Sequence, residues 1–210
     1  DDLVTYGVAD GIARITINAP DQGNSLNATM RDQLTEWFEW ASADLAVRVI
    51  VLTGAGERHF CTGANLGGPQ KPTPPIPEGA PERAMGDAAR LIKRGWQRLV
   101  ASILDCEKPV IAAVNGTAAG GGAHLVLACD LVVMADRAKL VEVFVKRGIL
   151  PDAGGAYLLP RSASGLAVMR EAIGAVQHSQ AVPNAPPDTP LLCLAENPAL
   201  AGTLRTLNCH

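Results

Sequence analysis

Short apolar runs that end in glycine turns, alternating with stretches of helical periodicity, set the tightest limit on what this chain can fold into. Val49 to Leu52 is ended by Thr53-Gly54, Pro109 to Val114 is turned by Asn115-Gly116, and Leu131 to Met134 forms a third run. Such continuous runs suit strands buried on both faces. Ahead of them Ala13, Ile15 and Ile17 alternate with Arg14, Thr16 and Asn18, as in a half-buried strand. Between the strands, Asn27 is placed to cap a helix with Met30, Leu34, Trp37, Phe38 and Ala41 on one face. Asp87 opens a second helix carrying Leu91, Ile92, Trp96, Leu99 and Ile103, and Ala123 to Cys129 forms a third. Val141 to Val145 is a further short apolar segment. Strands alternating with helices predict an α/β fold with a largely parallel sheet.

Composition narrows the function classes. Hydrophobic residues make up 48% of the 210 and charged residues 19%, enough apolar material for a core. Aromatics are only 4%, so aliphatic side chains must build it. The net charge is −3 with no basic block, which argues against a nucleic-acid surface. No apolar run approaches the ~20 residues of a membrane span. The first residues, Asp1-Asp2-Leu3, are acidic and lack an apolar signal segment, so a cytoplasmic location is expected. Five cysteines (Cys61, Cys106, Cys129, Cys193 and Cys209) are scattered without metal-ligand spacing and read as buried or incidental thiols.

Two stretches depart from this pattern. Gly67 to Pro81, GGPQKPTPPIPEGAP, is mostly Pro and Gly and predicts a mobile loop inside the domain. From Ser162 to His210 five prolines interrupt a segment with five charged side chains, no lysine and no aromatic. Leu166 to Val176 could form one helix, and nothing after Pro183 has sustained periodicity. The expected organisation is therefore a core over 1–161 and an atypical tail over 162–210.

Three glycine-bearing turns follow strands: His59 to Asn65, Asn115 to Gly122 and Pro151 to Gly155. In an α/β sheet ligands collect at the C-terminal ends of strands. Glycine there lets backbone approach a ligand, and a helix starting there aims free N–H groups at an anion. Here the chain resembles a known family. HFCTGANL is similar to the crotonase (enoyl-CoA hydratase/isomerase) motif F-[SA]-A-G-A-D-[IL], and KPVIAAVNGTAAGGGAHLVLACDLVVMA to that family's most characteristic stretch. PDQGNSLN resembles its P-x-x-x-N-A-L turn, and GILPDAGGAYLLPR its G-[LI]-x-P-x-x-G-G-x-x-x-L-P-R segment. All four fall in the family's order across residues 1–161.

The resemblance implies a spiral of ββα units, usually a homotrimer or hexamer, with an acyl-CoA substrate whose coenzyme A is part of the substrate and no separate cofactor or metal. It places the oxyanion donors at the backbone N–H groups of Ala64 and Gly121. It puts Ser25, Leu26, Thr62, Gly63, Asn65 and Leu66 along the CoA arm, with Asn65 in place of the usual acidic residue. After Arg161 the family's closing helices find no match, so the C-terminal helical region reads as atypical or truncated. A shifted reading frame in a GC-rich gene would explain this, and it fails if neither other frame past Arg161 restores a family-like end.

The resemblance also bears on the reaction. Hydratase members use two glutamates on water, at the positions that here hold His124 and Phe144. Glu142 is nearby, on the same face as Phe144 if that segment is a strand and not if it is a helix. Asp152 matches the acidic residue that several isomerase-type members use to move a proton of the acyl chain. The plainer alternative is that Pro151-Asp152 only makes a turn, with the carboxylate accepting backbone N–H groups. His124 is either a proton carrier beside the thioester or a helix histidine hydrogen-bonded in place. His59 is expected at the surface, and Arg58 and Lys71 either meet CoA phosphates or, as lone cations at loop edges usually are, are simply solvated. A proton-shuttling acyl-CoA isomerase is the leading expectation. A non-catalytic acyl-CoA binder, or thioester hydrolysis or decarboxylation on the same oxyanion site, remain open beside it.

Overall fold

In the computed structural model the described residues are 2–67, 75, 77–80, 85–144, 148–161 and 192–193. The tail beyond Arg161, with the helix expected over Leu166 to Val176, lies outside them apart from one short strand, as does most of the loop from Gly67 to Pro81, Lys71 included.

β1 (Val4–Ala9) and β2 (Ile12–Ile17) form an antiparallel hairpin. Its two-residue turn uses positive φ at Asp10 (52°) and Gly11 (77°), the geometry that suits the twist of paired strands. Two further 3-10 turns are Pro20–Gln22 and Leu159–Arg161. β3 (Val49–Gly54), β5 (Val110–Val114) and β7 (Leu131–Met134) then add in parallel, giving the order β1-β2-β3-β5-β7.

A second sheet is built from three-residue strands, β4 (His59–Cys61), β6 (Thr117–Ala119) and β8 (Leu140–Glu142), all parallel, with β9 (Leu192–Cys193) antiparallel at the edge. The repeat is therefore clear. β3-β4, β5-β6 and β7-β8 each send one strand to the large sheet and one to the small sheet. The first two pairs run on into helices: α2 (Met85–Arg94) with α3 (Trp96–Leu104), and α4 (Gly121–Ala128). This is the ββα spiral that the family resemblance implies. A short α5 (Gly155–Leu158) follows.

α1 (Ala28–Ala43) starts as expected, the Asn27 side chain accepting a hydrogen bond from the Met30 N–H at 2.9 Å. It buries Met30, Leu34, Phe38 and Ala41 against Ile15, Ile17, Ile50 and Leu52 of the large sheet and Leu99 and Ile103 of α3. Trp37 stacks on Tyr6 at 4.5 Å.

Two expectations need correction. β3 is not buried on both faces: Ile50, Leu52 and Gly54 are buried while Val49, Val51 and Thr53 are only partly covered, because the helices pack on one face of that sheet. β7, at the edge, is more exposed still. The single helix expected from Asp87 is two helices, split at Gly95. A Cβ there would collide with the Arg31 guanidinium and sit 2.7 Å from the Leu91 carbonyl. Leu91, placed on the inner face by periodicity, is 57% exposed. No helix among the described residues is long and apolar enough to cross a membrane.

Candidate active site

The parallel pairing of β4 with β6, His59 to Thr117 and Cys61 to Ala118, brings the turns at their C-terminal ends side by side. Gly63 has φ +91°, which disfavours any side chain. A Cβ on it would lie 2.9 Å from the Ala119 carbonyl oxygen and 3.3 Å from the Gly121 nitrogen. A Cβ on Gly122 would overlap the Cys61 carbonyl. The main chains meet directly, and glycine is what allows it.

The loop from Gln22 to Leu26 closes over the first turn. Leu26 N–H donates to Gly63 O at 2.8 Å, Asn65 N–H to Leu26 O at 2.9 Å and Thr62 N–H to Gly23 O at 3.2 Å. The loop is itself held by buried Asn24, which accepts from Ala19 N–H and donates to the carbonyls of Ala55 and His59. This pattern uses the N–H groups of Thr62 and Asn65 and leaves that of Ala64 without an acceptor among the described residues. Gly121 N–H is likewise unpaired, since α4 makes its first bond from His124 N–H to Gly120 O. It also sits at a helix N-terminus, where the backbone dipoles favour negative charge.

Both residues line a cavity of about 520 Å³, together with Ser25, Thr62, Gly63, Asn65, Leu66 and Asp152. Leu26 does not line it; its side chain is buried and its backbone does the work. Asn65 donates to Gln22 Oε1 at 3.3 Å and accepts from Gly67 N–H at 3.1 Å. Cys61, beneath the turn, is sealed in, and burial pushes its thiol up to about 12, with the Gly63 backbone drawing it partly back. Burial raises the Cys129 thiol as well.

The far wall comes from α3, the segment after β8 and the turn before α5. Trp96, Val143, Phe144, Ile149 and Ala153 line it. Glu142 and Phe144 do fall on one side, as strand parity requires, and both meet His124. The His124 ring stacks on Phe144 at 5.0 Å between centroids, 3° from parallel, and its Nε2 lies 3.2 Å from Glu142 Oε2. His124 is 0% exposed and Glu142 3%, so this pair sits one layer behind Phe144 and does not line the cavity. His124 Nδ1 and Glu142 Oε1 are buried without a hydrogen-bond partner.

Asp152 is at the cavity. The turn that carries it is closed by Ala156 N–H donating to Pro151 O at 3.0 Å. Its own backbone carbonyl accepts from Gln97 Nε2 at 3.2 Å, while its carboxylate accepts nothing from the described residues. The carboxylate bonds to backbone N–H groups that the plainer turn-making reading called for are absent among the described residues. Arg58 is exposed as expected, whereas His59 is half-buried, with Nδ1 enclosed by protein.

Sequence reasoning missed Trp96 as a wall of the cavity. The signal was Gly95 just before it, which ends α2 and makes Trp96 the first residue of α3.

The likeness to known proteins agrees with this geometry. Residues 7–181 match the family model described as enoyl-CoA hydratase/isomerase. A Rhodobacter capsulatus protein named "probable enoyl-CoA hydratase" is 40% identical over 177 residues, covering 82% of this chain and 63% of that protein. The 1,2-epoxyphenylacetyl-CoA isomerase of Escherichia coli is 40% identical over 182 residues, covering 84% and 66%. A crystal structure of an enoyl-CoA hydratase from Bacillus anthracis superposes with a TM-score of 0.67 at 30% identity, covering 86% of this chain and 67% of that one. The chain thus spans somewhat under two thirds of the length of these curated relatives.

Proposed function

Because this chain belongs to the enoyl-CoA hydratase/isomerase family, we propose that it acts on acyl-CoA thioesters by holding an enolate oxygen on Ala64 and Gly121 and moving a proton with Asp152. Residues 1–161 carry the site in this reading. Coenzyme A enters as part of the substrate, past Ser25, Thr62, Asn65 and Leu66.

One observation carries the reading: two unpaired backbone N–H groups border a cavity in which Asp152 is the one titratable side chain among the described lining residues. Removing an α-proton from a thioester puts negative charge on its carbonyl oxygen. Two fixed donors stabilise that charge without reorganising, each worth about 3 kcal/mol by analogy with other oxyanion holes. The carboxylate takes the proton, charge spreads into the conjugated chain, and the same carboxyl returns the proton at the other end. The double bond moves and no atom is gained or lost.

Addition of water asks for an acid and a base at the water. Glu142, the other acid nearby, lies behind Phe144, which favours isomerisation over hydration.

The test is a spectrophotometric assay with 2-enoyl-CoA and 3-enoyl-CoA on the parent protein and on Asp152→Asn. Interconversion that collapses in the variant is expected. Turnover untouched by the substitution removes Asp152 from the mechanism, and well-folded protein that binds but never turns over either thioester leaves an acyl-CoA binder.

A further inference from the structure

We infer that the acyl end of the cavity is a rigid aromatic slot, walled by Trp96 and Phe144, that selects planar aryl acyl groups over saturated ones of equal size. This rests on the acyl-CoA reading above and adds the class of acyl group.

The two rings are placed by the oxyanion peptide itself. A Cβ on Gly121 would lie 2.5 to 2.9 Å from Cζ3, Cη2 and Cε3 of Trp96, so the benzo edge of the indole rests against the Gly121 main chain. On the preceding residue, a Cβ on Gly120 would lie 3.8 Å from both Cε2 and Cζ of Phe144. Two aromatic edges thus reach consecutive residues, and the second of these carries the proposed donor to the thioester oxygen. An acyl group whose carbonyl is held there begins beside both rings. The rest of this wall among the described residues, Val143, Ile149 and Ala153, is aliphatic.

Trp96, the first residue of α3, is half-buried, packed against the core and against the Gly121 main chain. Phe144 lies flat on the His124 ring, and that ring is held by Glu142. Gly155 closes in from behind, since a Cβ on it would collide with the His124 imidazole. Phe144, backed by His124 and Glu142, is therefore a supported apolar wall. A preformed aromatic wall gains edge and face contacts with a flat ring beyond what area alone supplies. A saturated ring of the same size is thicker and has no such contacts.

The experiment is calorimetric titration of the full chain with phenylacetyl-CoA and with cyclohexylacetyl-CoA, repeated on Asp152→Asn so that turnover plays no part. Phenylacetyl-CoA should bind roughly five- to tenfold tighter, the order that two aromatic contacts supply, and Asp152→Asn should keep that ratio. Trp96→Leu should reduce it to within about twofold, while Trp96→Phe should keep most of it. Equal affinities in the parent protein, or an unchanged ratio in folded Trp96→Leu, overturn the slot and leave the acyl-CoA reading standing. If folded protein binds neither thioester, the acyl-CoA reading itself falls and takes the slot with it.

Discussion

On one side of the cavity Gly63-Ala64 and Gly120-Gly121 meet main chain to main chain, with no room for a Cβ at Gly63 or Gly122. Beside them Trp96, Phe144 and Asp152 line the rest of the cavity, carried by α3, by the segment after β8 and by the 151–155 turn. The first half offers N–H groups, which every residue type but proline has, so its demands are purely geometric. The second half offers particular side chains, so its identity decides what happens to whatever the first half holds. On the proposed reading, a fold of this kind can keep its oxyanion site and change the reaction by changing only the side-chain wall.

The largest expected effects separate the two halves. Asp152→Asn should lower turnover by about 100-fold or more, the usual worth of a proton-transferring group, and change the dissociation constant for a thioester by no more than about twofold. A binding titration beside the rate assay reads both. If affinity falls along with rate, Asp152 helps hold the ligand and the division drawn here is wrong. Gly122→Ala should act on stability instead. Forcing a methyl into the Cys61 carbonyl costs about 1–3 kcal/mol of overpacking, so urea denaturation should move to lower denaturant before any chemistry is considered. A variant as stable as the parent would mean that the two turns do not pack as closely as described.

The same division explains what could be read beforehand. β3, β5 and β7 are legible because each is an apolar run of four or more residues cut by a turn, and α1 because Asn27 precedes a clean periodic face. β4, β6 and β8 have three residues each, too few for any period to register, yet they are the strands that carry the site. The glycines of the backbone half are visible as letters, and a motif made of them points to Ala64 and Gly121 directly. The side-chain half depends on contacts between distant positions. Nothing local to His124 says that its ring will lie on Phe144, and nothing local to Trp96 says that it will rest on Gly121 at the rim of the core. Glu142 shows the limit well. Its parity with Phe144 could be stated as a condition on strand or helix, but that it would be enclosed while Phe144 meets the cavity could not.

A smaller effect tests whether the side-chain half has its own support. Glu142→Leu leaves His124 Nε2 buried and without its partner, which should cost about 1–3 kcal/mol. Glu142→Gln keeps a hydrogen-bonding group in reach and should recover most of that loss. Thermal melts of the two variants against the parent decide it. If Glu142→Leu melts with the parent, the pair does not brace Phe144, and the wall facing the oxyanion site is softer than the backbone opposite.

The smallest effect is expected at Asn65, where this chain lacks the acidic residue usual in its family. Asn65 lies in the backbone half, and its Oδ1 already accepts the Gly67 N–H at 3.1 Å, a role that a carboxylate fills as well. Its second bond, from Nδ2 to Gln22 Oε1, is long at 3.3 Å and exposed, so little is lost with it. Asn65→Asp should therefore shift thioester affinity and turnover by no more than about twofold, the range of an ordinary surface exchange. The comparison of dissociation constants at low and moderate salt is the sharper reading, because a new charge that touched the ligand would show a salt-dependent change. A tenfold change in either direction would mean that a side chain, and not only the main chain, sets the properties of this half of the site.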